Sequence, residues 1–324
     1  IPLSCGMYGI CRVSASIRGL SMVAGTELGS TEEERRISMI IIQLAGGLGN
    51  QMQQYAMYQK LLSLGKKAKL DISWFEEADR QKDVYARRDL ELNYFKNVEY
   101  KACTEEERNA LAGNGGLAGK IKGRLFPGTR KIFRESEMYH PEIFDFEDKY
   151  LYGYFACEKY YADIMEILWK QFVFPESGNP ENRKMAERIR NEESVSVHIR
   201  RGDYLDAENA ALFGNICTEE YYAGAIREMK QIYPSAHFFV LSDDVPYVKK
   251  TYIGEEFSVV DINRGKDSFY DMWLMSRCRH NICANSTFSF WGARLNQYEG
   301  KIVMRPTIHR NNQVFEPERM HELW

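Results

Sequence analysis

The sequence lacks the features that mark disulfide-stapled and membrane-spanning proteins. Its seven cysteines, among 324 residues, form no C-x-x-C pair. An odd, scattered set of cysteines is typical of free thiols in a reducing compartment. No stretch approaches the ~20 consecutive apolar residues that a membrane-spanning helix needs. We therefore expect a cytoplasmic protein, and peripheral association with the inner face of the cytoplasmic membrane stays open.

The sequence also lacks a strong charge imbalance. It carries 43 basic and 46 acidic residues and a formal net charge of -3, which gives no general reason to expect nucleic acid as a partner, so an anionic ligand must be captured locally. No D-x-D motif or histidine cluster stands at a predicted strand end, and we predict neither a metal nor a cofactor.

The apolar fraction of 44%, with 20 tyrosines and 17 phenylalanines, predicts a folded protein with a large core.

Composition changes predict the domain organisation. Residues 1–38 have no clear hydrophobic period, and we expect a leader or a non-native extension that is poorly ordered. From Met39 onward, short β-branched runs alternate with helical patterns, which predicts α/β domains with parallel sheets. Residues 174–182, FPESGNPEN, concentrate proline, glycine and asparagine. We predict an N-terminal domain over 39–178 and a C-terminal domain over 179–324.

Residues 113–135 form a basic, glycine-rich stretch, with six glycines and six basic residues. It reads as a loop or a pair of mobile helices. Such a stretch fits a solvated, irregular surface, and the alternative is a loop that meets an acceptor or a membrane.

The first candidate site is the glycine loop GGLGNQ, residues 46–51, between a predicted strand and a predicted helix. Glycines let the backbone approach a ligand closely, and the N-terminus of the following helix favours anions. The loop lacks the G-x-G-x-x-G spacing of dinucleotide-binding folds. A tight turn that packs the helix on the strand is an equally good interpretation.

The second candidate site is VHIRRGDY, residues 197–204. The alternation of a strand places His198 and Arg200 on the same face, near the strand end. A guanidinium binds two phosphate oxygens at once, so Arg200 and Arg201 suit a diphosphate that gains charge as it leaves. The alternative is an arginine–aspartate pair through Asp203 that only holds the loop.

The third candidate site lies in residues 267–295. Asp271 belongs to a predicted helix, and Asn285, Ser286 and Thr287 follow a predicted strand and open another helix. Backbone N–H groups and small hydroxyls in such a place form a phosphate cradle, although an ordinary helix cap needs the same residues. Ser242 and Asp243 similarly end a strand. Because ligands of open parallel sheets bind beyond the carboxyl ends of the strands, the combination predicts a nucleotide between two α/β domains.

Four motifs together resemble glycosyltransferase family 11, the α-1,2-fucosyltransferases. These motifs are GGLGNQM with QYA, HIRRGDY, LSDD and LMSRCRHNICANSTFSFWGARL, and the similarity runs from about Met39 to Met304. The resemblance implies a GT-B-like fold, in which two Rossmann-like domains face a nucleotide-sugar cleft. It also implies metal-independent, inverting transfer of L-fucose from GDP-fucose to the 2-OH of a galactose-terminated oligosaccharide.

The resemblance also implies roles for individual residues. Arg200 would bind the β-phosphate, and Asn50 would lie near the reacting sugar. His198 and Asp271 would contact the guanine. The whole expected donor-binding set is Gly47, Gly49, His198, Arg201, Ser242, Asp243, Asp271, Asn285, Ser286, Thr287 and Phe288. The chain departs from the family pattern at Gln53, where an aromatic residue is usual, and at Phe290, where tryptophan is usual.

The general base is left open by the sequence. Asp203 is the first candidate, but orienting Arg201 is an equally good role for it, and a weakly basic mechanism assisted by Asn50 is a third option. Other functions also stay open. They are a different acceptor or linkage, a sugar-binding relative without turnover, and a dehydrogenase, which the glycine spacing disfavours.

Overall fold

The chain folds into two α/β lobes, each built on a parallel sheet. The computed structural model describes residues 9–11, 38–81, 87–113, 131–136 and 139–311. The strands are β1 (Gly9–Cys11), β2 (Ile40–Gln43), β3 (Ala68–Asp71), β4 (Ile132–Arg134), β5 (Lys149–Tyr152), β6 (Ser194–Ile199), β7 (His237–Ser242), β8 (Phe257–Val259), β9 (His280–Ile282) and β10 (Val303–Arg305).

The α-helices connect these strands. They are α1 (Leu48–Ser63), α2 (Ser73–Glu76), α3 (Glu105–Ala112), α4 (Met165–Gln171), α5 (Pro180–Asn191), α6 (Ala207–Phe213), α7 (Glu219–Ile232), α8 (Val245–Thr251), α9 (Phe269–Arg277) and α10 (Thr287–Leu295). Short 3-10 helices fill several connections, among them Glu91–Tyr94. None of the helices in the described ranges is long and apolar enough to cross a membrane.

The strand order confirms the predicted fold class. The N-terminal lobe has a four-stranded sheet in the order β3-β2-β5-β4, and all of its pairs are parallel. The C-terminal lobe has the order β1-β10-β9-β6-β7-β8. Only the β1–β10 pair of this sheet is antiparallel. Parallel neighbours need crossover connections, which the helices supply.

Two stretches differ from their simplest sequence interpretation. Gly9–Cys11, inside the expected leader, pairs with the edge strand β10, and the rest of residues 1–37 lies outside the described ranges. Most of the basic glycine-rich stretch also lies outside them, but residues 132–134 form β4 rather than a loop.

The domain boundary near residue 178 stays a prediction. Asn179 there caps α5 by accepting a hydrogen bond from the Glu181 N–H at 2.9 Å.

One apolar cluster extends across both lobes. Trp291 of α10 is fully buried among aromatic residues of the N-terminal lobe, with its ring 5.8 Å from Tyr161 and 5.2 Å from Phe172. Its indole N–H donates to the carbonyl oxygen of Gly49 at 3.0 Å. A buried tryptophan contributes a large apolar area and one directed hydrogen bond, so this contact fixes the lobes against each other.

The first turns of α1 and α10 meet at Gly49. A Cβ atom there would lie 2.5 Å from the Thr287 hydroxyl oxygen and 2.6 Å from its carbonyl carbon. Real Cβ atoms do not approach other atoms this closely, and a backbone neighbour cannot move away cheaply. Glycine at position 49 is therefore a condition for the approach of the two helices.

We predict that Gly49→Ala destabilises the protein by about 1–3 kcal/mol, the usual cost of an overpacked contact. Gly47→Ala is the matched control, because no atom lies within 4 Å of a Cβ at that position; it removes only a glycine cap, which we expect to cost about 1 kcal/mol or less. Urea unfolding of both variants measures the difference. Equal stability of the two variants would contradict the close approach.

Candidate functional site

A cleft of about 1800 Å³ lies between the lobes. Its walls come from segments that follow the carboxyl ends of β2, β4, β5, β6 and β7, and from the N-terminus of α10. Most of the residues predicted from the sequence line it, namely Gly47, Gly49, Asn50, His198, Arg200, Asp203, Ser242, Asp243, Asp271, Ser286, Thr287 and Phe288. Both sheets therefore present their strand ends to one cavity, the usual place for a ligand in parallel sheets.

Two buried glutamines of α1 hold the glycine loop in shape. Gln51 donates to the carbonyl oxygens of Gly46 and Asp89, both at 2.9 Å, and accepts from the Leu92 N–H at 3.0 Å. Gln54 accepts from the N–H of the residue that precedes the loop and donates to the carbonyl oxygen of Gly153, both at 2.9 Å. Sequence reasoning overlooked them. The sequence did indicate them, since amides on a helix face that is otherwise apolar are expected to be buried and hydrogen-bonded.

Arg200 lies at the end of β6 between two carboxylates. Its Nη2 is 2.7 Å from Asp203 Oδ1, and its Nη1 is 2.8 Å from Asp243 Oδ2. Burial by itself would lower the pKa of Arg200, but the two carboxylates outweigh it and the pKa is raised. Arg200 is therefore a fixed cation in the cleft wall.

All three guanidinium nitrogens of Arg200 lie close to carboxylates. Nε donates to Asp203 Oδ1 at 3.0 Å, and Nη2 and Nη1 form ion pairs with Asp203 and Asp243. A guanidinium carries two N–H bonds on each Nη. The guanidinium thus has more N–H donors than its one hydrogen bond to Asp203 uses, and its fork suits two oxygens of one phosphate.

The neighbouring Arg201 does not line the cleft, although it was expected to bind the donor. Its Nε donates to Asp244 at 3.1 Å, and its guanidinium stacks 3.7 Å above the Tyr247 ring. The two arginines thus have different partners, and the expected contact of Arg201 with the donor stays a prediction. The expected pairing of Asp203 with Arg201 is wrong, because Asp203 pairs with Arg200 and lies 3.6 Å from Arg88.

His198 is a neutral imidazole in the cleft wall. Burial is the main cause that lowers its pKa to about 4, and the charge of Arg200 lowers it further, against the effect of Asp243. Its ring packs 5.5 Å from the ring of Phe288. The buried Nδ1 has no hydrogen-bond partner within the described residues. A buried polar atom of this kind is a ready contact for a ligand.

Asp271 of α9 titrates near neutral pH. Burial raises its pKa to about 7, although a hydrogen bond from Asn263 at 2.7 Å lowers it. Asn263, which sequence reasoning did not single out, also exchanges hydrogen bonds with Asn182 at 2.7 and 3.0 Å. This amide pair orients the carboxylate toward the cleft.

The N-terminus of α10 opens into the cleft. Ser286 is its cap and accepts from the Phe288 N–H at 3.3 Å, whereas Thr287 packs beside Gly49. Asn285, also expected to bind the donor, does not line the cleft. It is buried and donates to the carbonyl oxygens of Phe213 at 3.1 Å and His309 at 3.0 Å, so it holds the neighbouring loops.

Several lining residues come from parts of the N-terminal lobe where the sequence pattern is loose. They include Arg88, Glu91, Arg134, Glu135, Tyr152 and Tyr154. The two departures from the family pattern, Gln53 and Phe290, line the cleft as well. In the ranges that the structure describes, no group of three His, Cys, Asp or Glu side chains could hold a metal ion.

An acidic residue does end the strand after the glycine loop, and the sequence reading overlooked it. This residue is Asp71, which is 2% exposed. Its carboxylate accepts from the Ser73 N–H at 3.0 Å and from the Tyr150 hydroxyl. Because both oxygens are engaged inside the lobe, Asp71 offers no contact for the ribose of a dinucleotide.

Comparison with known proteins gives the family. The model of Glycosyl transferase family 11 matches residues 139–322. An Alpha-1,2-colitosyltransferase from Escherichia coli is 34% identical over 84% of this chain and 92% of its own length. The O-antigen biosynthesis glycosyltransferase WbnK, also from Escherichia coli, is 31% identical over 81% of this chain and 92% of its own length.

Among solved structures, NodZ alpha-1,6-fucosyltransferase soaked with GDP-fucose is similar, with a TM-score of 0.45 and 15% identity. The match covers 84% of this chain and 99% of that chain. Because this TM-score is below 0.5, the family assignment rests on the family model and the two sequence relatives. The chain belongs to glycosyl transferase family 11, and it is a glycosyltransferase.

Proposed function

We propose that the protein transfers L-fucose from GDP-fucose to the 2-OH of a terminal galactoside, with inversion and without a metal ion. The observation that carries this proposal is the fixed Arg200 guanidinium, held by two carboxylates in a cleft that also receives the N-termini of α1 and α10. A fixed cation and two helix N-termini together favour a departing diphosphate, whose negative charge grows in the transition state.

The remaining roles follow from the chemistry of the lining groups. His198, neutral and with an unpartnered Nδ1 among the described residues, fits a hydrogen bond to a nucleobase. Asp271, when ionised, accepts hydrogen bonds from the N1–H and the exocyclic amine of guanine. Ser286 and Thr287 supply hydroxyls and backbone N–H groups to the phosphates, and Asn50 lies in the cleft wall for the sugar.

A second candidate donor is GDP-colitose. The relative that is 34% identical is an alpha-1,2-colitosyltransferase, and colitose differs from fucose only by loss of the 3-hydroxyl. A site that hydrogen-bonds a substrate hydroxyl rejects the analogue that lacks it, whereas an apolar contact there tolerates both. The two donors would share the same phosphate and guanine contacts.

Product analysis tests the activity. We expect the protein, in EDTA, to fucosylate or colitosylate galactose-terminated oligosaccharides through the 2-OH, as read by mass spectrometry and linkage analysis. Activity that disappears in EDTA and returns with Mn²⁺ would contradict metal-independent transfer. A linkage at another position would correct the acceptor assignment.

We predict that Arg200→Ala lowers the rate of transfer at least about a hundredfold, since one charged contact that strengthens in the transition state contributes ~3 kcal/mol or more. Arg200→Lys keeps the charge but loses the paired N–H groups, so a large loss is expected for it as well. Arg188→Ala, on the surface of α5 and paired with Glu192, is the control and keeps its rate. Near-normal turnover by Arg200→Ala would refute the assignment.

We predict that GDP binding weakens as the pH falls through about 7. Burial raises the pKa of Asp271 to about 7, so the ionised acceptor is fully present above that pH and is lost below it. Calorimetric titration between pH 6 and 8 measures the effect. Asp271→Asn is expected to bind GDP weakly at every pH, and an unchanged pH dependence in this variant would exclude Asp271 as its source.

A further inference from the structure

Inverting transfer to a hydroxyl leaves a proton that some group in the cleft must accept. Asp203, the first candidate from the sequence, has Oδ1 bound to Arg200 at 2.7 Å and Oδ2 3.6 Å from Arg88. Its oxygens therefore face two cations and serve to hold Arg200. The proton acceptor has to be sought elsewhere in the cleft wall.

Glu91 is a cleft carboxylate that the sequence did not single out. It begins the 3-10 helix Glu91–Tyr94 of the N-terminal lobe and lines the cleft. Its Oε2 accepts from the N–H of Leu48, the first residue of α1, at 3.0 Å. Within the described residues no hydrogen bond engages its Oε1.

The position of Glu91 is fixed from both sides. Gln51 donates to the carbonyl oxygen of Asp89 at 2.9 Å and accepts from the N–H of Leu92 at 3.0 Å, so it holds the backbone on both sides of Glu91. Leu48 lies one residue from Gly49, where α1 meets α10. The carboxylate is therefore held beside the two helix N-termini that would receive the diphosphate.

The surroundings make Glu91 more basic than an exposed carboxylate. Burial raises its pKa, and the charge of Asp89 adds to this. Arg88 and the Leu48 N–H act in the opposite direction without cancelling the effect. The pKa of Tyr94 is raised as well, mainly by burial and next by the charge of Glu91.

We propose that Glu91 is the general base that takes the proton of the acceptor hydroxyl. The inference rests on the proposed function. In the step, the acceptor O–H bond breaks and its proton goes to Glu91 Oε1. The acceptor oxygen forms a bond to the anomeric carbon, whose bond to the β-phosphate oxygen breaks, and that electron pair leaves with GDP.

The competing role for Glu91 is purely structural. Gly47, the residue at the N-cap of α1, has no side chain to accept a backbone N–H, so Glu91 caps this helix from another segment. Glu91→Gln separates the two roles, because the amide oxygen still accepts from Leu48 but the side chain no longer takes a proton. A helix cap contributes about 1 kcal/mol, which a change in unfolding midpoint would reveal.

Glu135→Gln is the matched control. Glu135 is another lining carboxylate of the N-terminal lobe, and it too accepts a backbone N–H, that of Phe155, at 2.7 Å. Both variants remove one negative charge and keep the size of the side chain. They differ in which carboxylate is lost from the cleft.

The first measurement is kcat as a function of pH. The donor is kept at a saturating concentration, so that weaker donor binding on protonation of Asp271 does not affect the result. We expect Glu91→Gln to lose about 10²–10⁴-fold in transfer to a galactoside, with GDP affinity within threefold of the unaltered chain. The fall of kcat toward acid pH should disappear in this variant and persist in Glu135→Gln. A Glu91→Gln enzyme within fivefold of normal, with its acid limb intact, would overturn the proposal.

The second measurement replaces the acceptor by azide, an anionic nucleophile that carries no proton to remove. We expect Glu91→Gln to form glycosyl azide from GDP-fucose at the rate of the unaltered chain. Equal losses with azide and galactoside would assign Glu91 a structural role and overturn the proposal. If the unaltered chain itself transfers to no galactoside from either donor, the proposed function fails, and the role of Glu91 as its base fails with it.

Discussion

The approach of α1 and α10 at Gly49 is the constraint on which the site depends. Each helix N-terminus carries unpaired N–H groups and about half a positive charge. Two such termini side by side repel each other unless negative charge lies near. The carboxylate of Glu91 on Leu48 supplies part of that charge, and the cleft in front of the termini is set to attract an anion.

Ion pairs hold the cleft arginines of a chain whose formal net charge is -3. Arg88, Arg200, Asp203 and Asp243 form a chain of ion pairs whose formal charges cancel. Buried charges that are paired and hydrogen-bonded tolerate removal from water, whereas a lone buried arginine would not. The carboxylates thus hold the guanidinium in place in the cleft wall.

Burial also separates the charge states of the lining groups. Arg200 stays a cation, His198 stays neutral because its pKa falls to about 4, and the pKa of Asp271 rises to about 7. Desolvation disfavours the charged form of each group, and only strong ion pairs reverse its effect. One cleft therefore combines a fixed cation, a neutral hydrogen-bonding ring and a carboxylate that responds to pH.

The sequence by itself determined the parallel α/β class and the family, and it singled out twelve residues that line the cleft, because period, glycine position and motif order are local properties of the chain. It could also place His198 and Arg200 on one face, since alternation along a strand is strict. Only the tertiary structure turned Arg201 and Asn285 away from the cleft, decided which arginine pairs with Asp203 and brought Glu91 to the start of α1. The contacts that fix Arg201, Asn285 and Glu91 join residues 43 to 72 positions apart, and no local pattern encodes which distant partner a polar side chain will meet.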